Sequence, residues 1–235
     1  MNVLIVHAHP ESQSFSASMC RTAAETLQAQ GHSVVVSDLY AQGFNPVASA
    51  ADFGTRKNPE YLTYALEQRQ SYEAGSIDPQ IRSEIEKVKA CDLLILNFPI
   101  FWFSTPAIMK GWIDRVFISG IFYGGKRIYG GGGMKGKKAM LSITLGGRED
   151  MLSEGGIHGD LATMLRPLTQ GTLGYVGMEV LPTFTAYHVP YLKPEQREAL
   201  MQRWREHLAP GFEQAEPLRL PDLAQYDDSF RPIKR

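Results

Sequence analysis

The sequence is poor in cysteine: Cys20 and Cys91 are its only two, far apart and without partners at metal-ligand spacing. This excludes a disulfide scaffold, gives no reason to expect a metal centre, and fits a reducing, cytoplasmic setting. Neither sign of charge is in surplus, since 24 Lys and Arg stand against 25 Asp and Glu for a net of −1. A dedicated nucleic-acid binder would be strongly basic, and a polyanion or membrane-surface partner would also require a one-signed field. No apolar run approaches the ~20 residues of a membrane span. The N-terminus, Met1-Asn2-Val3-Leu4-Ile5-Val6-His7, lacks a basic stretch ahead of its apolar run, so no signal peptide is expected. Two nucleotide-binding fingerprints are missing as well, the GxGxxG turn and the Walker A loop.

What is present suits one large domain. Of the 235 residues, 43% are hydrophobic and 21% charged, which excludes a disordered chain. Val3–Ala8 is a continuous, β-branched run of the kind buried on both faces of a parallel sheet. A polar loop, His9 to Ser14, follows, and Ser14 or Ser16 can cap a helix. Phe15, Met19, Ala23 and Leu27 form one stripe of that helix, which ends near Gly31. Val34–Val36 is the next strand, completing a βαβ unit. Residues 39–76 read as a long polar excursion with one short helix near Tyr61–Tyr72. Further elements are a helix over Pro79–Ala90 capped by Asp78, a strand at Leu93–Leu96, and a helix opened by Pro106. Strands at Lys138–Ile143 and Met178–Leu181 and a helix over Pro194–Leu208 complete the pattern. The expected fold is an α/β doubly wound five-stranded parallel sheet between two helix layers, spanning 1–208. A Pro-rich tail, 209–235, would pack on the domain or on a partner subunit.

Ligands of doubly wound sheets bind beyond the carboxyl ends of the strands. Three such ends carry unusual residues. After the first strand, His9 to Ser16 is a hydroxyl-rich loop feeding a helix N-terminus; it can hold a phosphate, or it is a capped helix with solvated serines. After the third, Phe98-Pro99-Ile100-Phe101-Trp102-Phe103 holds four aromatics in six residues, either a flat wall for a planar ligand or a cluster at a subunit interface. After the fourth, Thr144-Leu145-Gly146-Gly147 lets backbone approach a ligand closely, or simply turns.

Together these segments carry a resemblance. Phe98-Pro99-x-x-Trp102-Phe103-x-x-Pro106-Ala107-Ile108-x-Lys110-Gly111-Trp112-x-x-Arg115-Val116-Phe117 closely resembles the signature of the flavodoxin-like NAD(P)H:quinone oxidoreductases of the DT-diaphorase type. Leu4-Ile5-Val6-x-Ala8-His9, Ser37-Asp38-Leu39-Tyr40, Phe44-Asn45-Pro46, Ser142-Ile143-Thr144-x-Gly146-Gly147 and Gly156-Ile157-His158-Gly159-Asp160 agree in the same order. The resemblance implies a flavodoxin-like fold and a cytoplasmic homodimer. It further implies two-electron, ping-pong hydride transfer from NAD(P)H to a quinone through FAD, with FMN as the alternative flavin. By position, His9, Ser14, Phe15 and Ser16 match the flavin-phosphate and adenosine segment, and Arg197 matches an arginine at the adenosine end. Pro99, Ile100, Phe101, Trp102 and Phe103 match the loop under the isoalloxazine, and Thr144, Leu145, Gly146 and Gly147 the segment at its polar edge. The catalytic residues implied are His158, Gly146 and Gly147. Tyr123 matches a tyrosine that reaches the partner's substrate pocket, which Trp102 and His158 would complete.

Some positions depart from the pattern. Leu152 stands where mammalian members carry a tyrosine beside the flavin, Ser16 where they carry asparagine, and Phe101 where they carry glutamine. Glycines 124, 125 and 130–133 replace ordinary loop residues. His158 has two readings: a structural histidine donating to a backbone carbonyl, or an imidazolium stabilising charge at the flavin's pyrimidine edge. Two other functions share the resemblance: an FMN-dependent azo- or nitroreductase, and a flavin-binding regulatory subunit of a membrane transport protein. His7, inside the first strand, and both cysteines are expected to be core residues.

Overall fold

The apolar runs pair as parallel strands. The computed structural model describes residues 1–209, 212 and 215–233. In it β1 (Asn2–His7) lies between β2 (Ser33–Asp38) and β3 (Leu93–Pro99), and β4 (Lys138–Thr144) extends the sheet past β3. The order is β2-β1-β3-β4-β5, with β5 (Glu179–Val180) at the edge and β6 (Phe184–Ala186) also paired to β4. The chain therefore leaves β1 toward β2 and returns to β3 on the opposite side, which places the switch point between β1 and β3.

Helices cover both faces. On one face lie α1 (Phe15–Ala29) and the C-terminal helix, α6 (Pro194–Leu208). On the other lie α3 (Pro79–Ala90) and α4 (Ala107–Val116), with α2 (Tyr64–Glu73) in the preceding excursion. Strand alternation divides the core accordingly. Val3 and Ile5 pack with Met19, Leu27 and Trp204, while Leu4 and Val6 pack with Ile81, Ile85 and Trp112. Start signals act as the sequence suggests: Ser14 Oγ accepts from Ala17 N at 3.0 Å, and Asp78 caps α3 with Pro79 in its first turn.

Two elements differ from expectation. The fifth strand is not a single run over Met178–Leu181. It is split into β5 and β6 with one extra residue, because Ala139 faces Val180 while Ser142 faces Phe184. The insertion falls around Pro182, which has no amide hydrogen for the ladder. The tail covers this broken edge, as Leu218 N donates to Val180 O at 2.7 Å. The second difference is α5 (Leu161–Leu168), capped by Asp160 and running into a π-helical turn at Thr169–Gly174. Pro167 cannot donate an amide hydrogen to the turn before it, so the helix widens there.

The long excursion is pinned from beneath. Arg115 Nε and Nη2 grip Asp52 at 3.0 and 2.8 Å, both residues are buried, Tyr64 donates to the same carboxylate, and Arg115 Nη1 donates to Asn45 O. Gly111 is glycine because α4 lies directly on the excursion: a Cβ there would sit 2.1 Å from Pro46 O. Asp52→Ala would leave the Arg115 guanidinium buried and uncompensated. It should cost about 3–5 kcal/mol of stability, read as a lowered urea midpoint.

Candidate functional site

The site grows from the carboxyl ends of β1, β3 and β4. Asn97 on β3 carries the first layer. Its Nδ2 donates to His7 Nδ1 at 2.7 Å and to Ser16 O at 3.0 Å, and its Oδ1 accepts from Ser142 Oγ at 3.0 Å. All four residues are buried. His7 is thus a core residue, and burial holds its imidazole below the ordinary value. Burial also pushes the Cys20 thiol up to about 12 and Cys91 up to about 11, so neither is a nucleophile at neutral pH.

Above Asn97, Phe101 and Ser104 exchange two backbone hydrogen bonds at 3.0 Å, closing a two-residue hairpin. Its central residues, Trp102 and Phe103, have φ of 48° and 59°. This left-handed pair is what a type I′ turn requires, and Asn-Gly normally fills it. Two bulky aromatics there are strained, at about 1–3 kcal/mol each. Ile100 N donates to Thr144 O at 2.8 Å and ties the hairpin to the next strand end. There the chain turns through Leu145, Gly146 and Gly147.

Hairpin and diglycine turn enclose a cavity of about 240 Å³. Leu145, Leu152 and Leu161 form its apolar floor, and Ile100, Trp102 and Phe103 its wall. His158 stands at the rim with its ring 5.2 Å from that of Phe103. Its loop folds back on the 149–152 turn, where His158 N donates to Met151 O at 3.0 Å. Gly156 makes this possible, since a Cβ would meet Asp150 O at 2.5 Å. The amides of Trp102, Phe103, Gly146 and Gly147 donate to no described residue, so a planar ligand with a polar edge would find both an aromatic wall and free donors here. Two larger cavities, about 400 and 430 Å³, share Glu149, Thr183, Thr185 and Tyr187 beside β6. Glu149, Glu154 and Asp160 line the first, a poor lodging for an anionic cofactor.

The remaining expected residues fall as follows. Pro99 and Thr144 are buried at the ends of β3 and β4, and Phe101 is half exposed at the hairpin base. His9 accepts from Glu11 N through Nδ1 at 3.0 Å, which leaves Nε2 as its donor; burial lowers its value as well. Ser14 Oγ is engaged as the α1 cap, and Ser16 is turned inward to Asn97. What this loop offers a ligand is therefore His9 Nε2 and the first-turn amides of α1. Phe15 packs against the α1 face of the core. Arg197, on the first turn of α6, is exposed and donates from Nε to Leu192 O at 3.1 Å. Tyr123 does not line this cavity; its ring packs 5.6 Å from Tyr175. Sequence reasoning missed Asn97, whose only signal is an amide inside an apolar strand. It also missed His188, which lies in an aperiodic stretch with no motif.

The flavodoxin-like fold family model matches residues 1–208. A Cavia porcellus protein named NAD(P)H dehydrogenase [quinone] 1 is 40% identical over 229 residues, covering 97% of this chain and 83% of its own. Homo sapiens ribosyldihydronicotinamide dehydrogenase [quinone] is 40% identical over 207 residues, covering 88% and 90%. A Klebsiella pneumoniae crystal structure, provisionally named a quinone reductase, superposes with a TM-score of 0.88 at 37% identity over 92% of this chain and 86% of its own.

Two outcomes test the site's physics. Trp102 is 96% exposed, so Trp102→Asn forfeits no burial and relieves the left-handed strain. It should stabilise the ligand-free protein by about 1 kcal/mol, and a melting temperature that does not rise would contradict the strain. His7 and His9 are held below 6.5 when folded and return to it on unfolding. The unfolded chain then binds more protons, so stability is full above about pH 6.5 and declines as pH falls toward the folded-state values. Urea midpoints at pH 7.5 and 5.5 should differ, and by less in His7→Gln.

Proposed function

Since this chain belongs to the flavodoxin-like family, among proteins named quinone-reducing NAD(P)H dehydrogenases, we propose that it reduces quinones by two electrons at the expense of NAD(P)H, using a flavin held between the aromatic hairpin and the diglycine turn. The observation that carries this reading is the strained Trp102–Phe103 turn facing unpaired amides across an apolar cavity at the carboxyl ends of the strands. Strain of this kind persists where function maintains it. The flavin, when bound, supplies hydride transfer in two halves, from the nicotinamide and then to the quinone, so the kinetics are ping-pong.

The chain's own residues bind and control charge. Ile100, Trp102 and Phe103 support the ring system, while the Gly146 and Gly147 amides meet its polar edge. The His158 imidazole lines the site, where it would meet charge that develops on the ring system. Leu152, buried in the floor, has no hydroxyl to relay a proton, so His158 acts alone or through water. The reading takes the flavin to be FAD: His9 and the α1 amides offer a phosphate site that either flavin can use, and Arg197, on the α1 side of the sheet, would meet the adenosine end that FMN lacks. It includes a cytoplasmic homodimer: Trp102 in the cavity wall and Ile157 beside His158 are 96% and 82% exposed, apolar surface that a second subunit would cover, and Tyr123 would reach that subunit's pocket. Among the described residues no helix is long and apolar enough to cross a membrane.

The test is direct. Chromatography of the flavin released on denaturation should return FAD, and NAD(P)H oxidation should couple to quinone reduction two electrons at a time. Recovery of FMN alone would redirect the reading to an azo- or nitroreductase. His158→Gln should retain flavin but slow its reduction 10- to 1000-fold in stopped flow. Reduction at the parental rate would leave His158 a structural role only.

A further inference from the structure

We infer that His188 is a positioning residue that sets the Gly146–Gly147 peptide for the flavin. The inference rests on the flavin reading above and extends it to a residue outside the family signature quoted for this chain.

Three successive carbonyls of the diglycine turn are occupied by two adjacent residues. Leu145 O accepts from Val189 N at 3.0 Å, and Gly147 O from His188 N at 2.9 Å. Between them, Gly146 O lies 3.1 Å from His188 Nδ1. A carbonyl only accepts, so Nδ1 carries the proton and Nε2 is left free. With every carbonyl drawn to the 188–189 side, the Gly146 and Gly147 amides are left without partners among the described residues, and both glycines line the cavity. Packing does not impose the Gly146 conformation, because the nearest atom to a Cβ there would be Pro190 Cγ, 3.9 Å away, although a Cβ at Gly147 would meet Leu152 Cδ1 at 3.0 Å. The hydrogen bonds hold the turn.

His188 adopts an unusual backbone to make them. Its φ is 59°, a conformation that a β-carbon disfavours and that glycine or asparagine accepts readily. Tyr191 steadies the ring, with centroids 4.8 Å apart and planes at 34°, and Tyr191 N donates to His188 O at 3.0 Å. The outcome is electronic as well as geometric. Gly146 C=O and Gly147 N–H are the two ends of one amide, so a hydrogen bond received at the oxygen strengthens the N–H as a donor. A flavin gathers negative charge on reduction. A donor strengthened in this way favours the reduced over the oxidised cofactor, and His188 accordingly raises the flavin's midpoint potential without touching it.

Two variants isolate the ring from the backbone. His188→Gly keeps the left-handed conformation and deletes the imidazole. His188→Asn tolerates the same conformation and places a side-chain N–H near the position of Nδ1. For the full-length protein, FAD affinity is measured by fluorescence titration of apoprotein, the midpoint potential by dye equilibration, and the fold by melting of the apoprotein. His188→Gly should lower the potential by about 30 mV, the two-electron equivalent of a tenfold loss of preference for reduced flavin. His188→Asn should recover most of that shift, with apoprotein melting similar in all three. A His188→Gly potential equal to that of the unsubstituted protein overturns the inference. So does a shift that Asn fails to repair while both variants melt lower, since His188 would then only support the fold. Unsubstituted protein that takes up no FAD or FMN overturns the functional reading and this inference with it; flavin uptake with unshifted variants overturns the inference alone.

Discussion

The side-chain amide of Asn97 is the point on which sheet, first helix and site all depend. It is enclosed by apolar strands, where an unpaired amide costs several kcal/mol. Both of its hydrogens and its oxygen are used, on His7 of β1, on the α1 backbone at Ser16, and on Ser142 of β4. Low polarity around it strengthens each bond and penalises any rearrangement that breaks one. The ends of β1, β3 and β4 are therefore locked in register at the level where their loops depart. The aromatic hairpin, the diglycine turn and the α1 N-terminus all begin from that fixed platform.

Strain collects above the platform and not within it. Tyr129 and Phe230 are left-handed elsewhere in the chain, but three such non-glycine residues gather here: Trp102 and Phe103 line the cavity, and His188 bonds the diglycine turn beside it. Each is flanked by backbone hydrogen bonds that over-determine it: Phe101 with Ser104, Ile100 with Thr144, His188 with Gly147 and Val189 with Leu145. The rest of the chain can sustain this because its deeper contacts are well satisfied. The bidentate Arg115–Asp52 pair binds α4 to the excursion, and the Glu84 carboxylate, shared by Trp112 Nε1 and Ser37 Oγ, joins α3 to α4 and β2. A site built on a rigid underside can hold loops in conformations they would not adopt alone.

Departures from the family pattern acquire physical content in this setting. Leu152, at the position of a tyrosine in mammalian members, is buried as part of an apolar floor, so in the proposed reading proton movement beside the flavin would have one fewer side chain to use. Ser16, at an asparagine position, is turned into the Asn97 network, so in the proposed reading the α1 loop would address a phosphate through His9 and backbone amides. Neither change disturbs the platform.

The sequence by itself determined the elements whose signals are local. Asp78 before Pro79 marked α3, the Phe15–Leu27 stripe marked α1, and the unbroken apolar runs marked β1, β3 and β4, because caps and side-chain periodicity act within a few residues. The family signature also placed the aromatic loop and the diglycine turn at strand ends. Only tertiary structure decided the rest. The fifth strand is split because its bulge at Pro182 depends on how it pairs with β4, and the π turn after α5 depends on Pro167 inside an otherwise apolar helix. Nothing near Trp102 announces a left-handed turn, since its composition opposes one; distant strand ends hold it there. His188 meets Gly146 across 42 residues. Asn97 and His7 are 90 residues apart. Contacts of that range leave no mark in local periodicity, because they exist only after the sheet has brought its strand ends together.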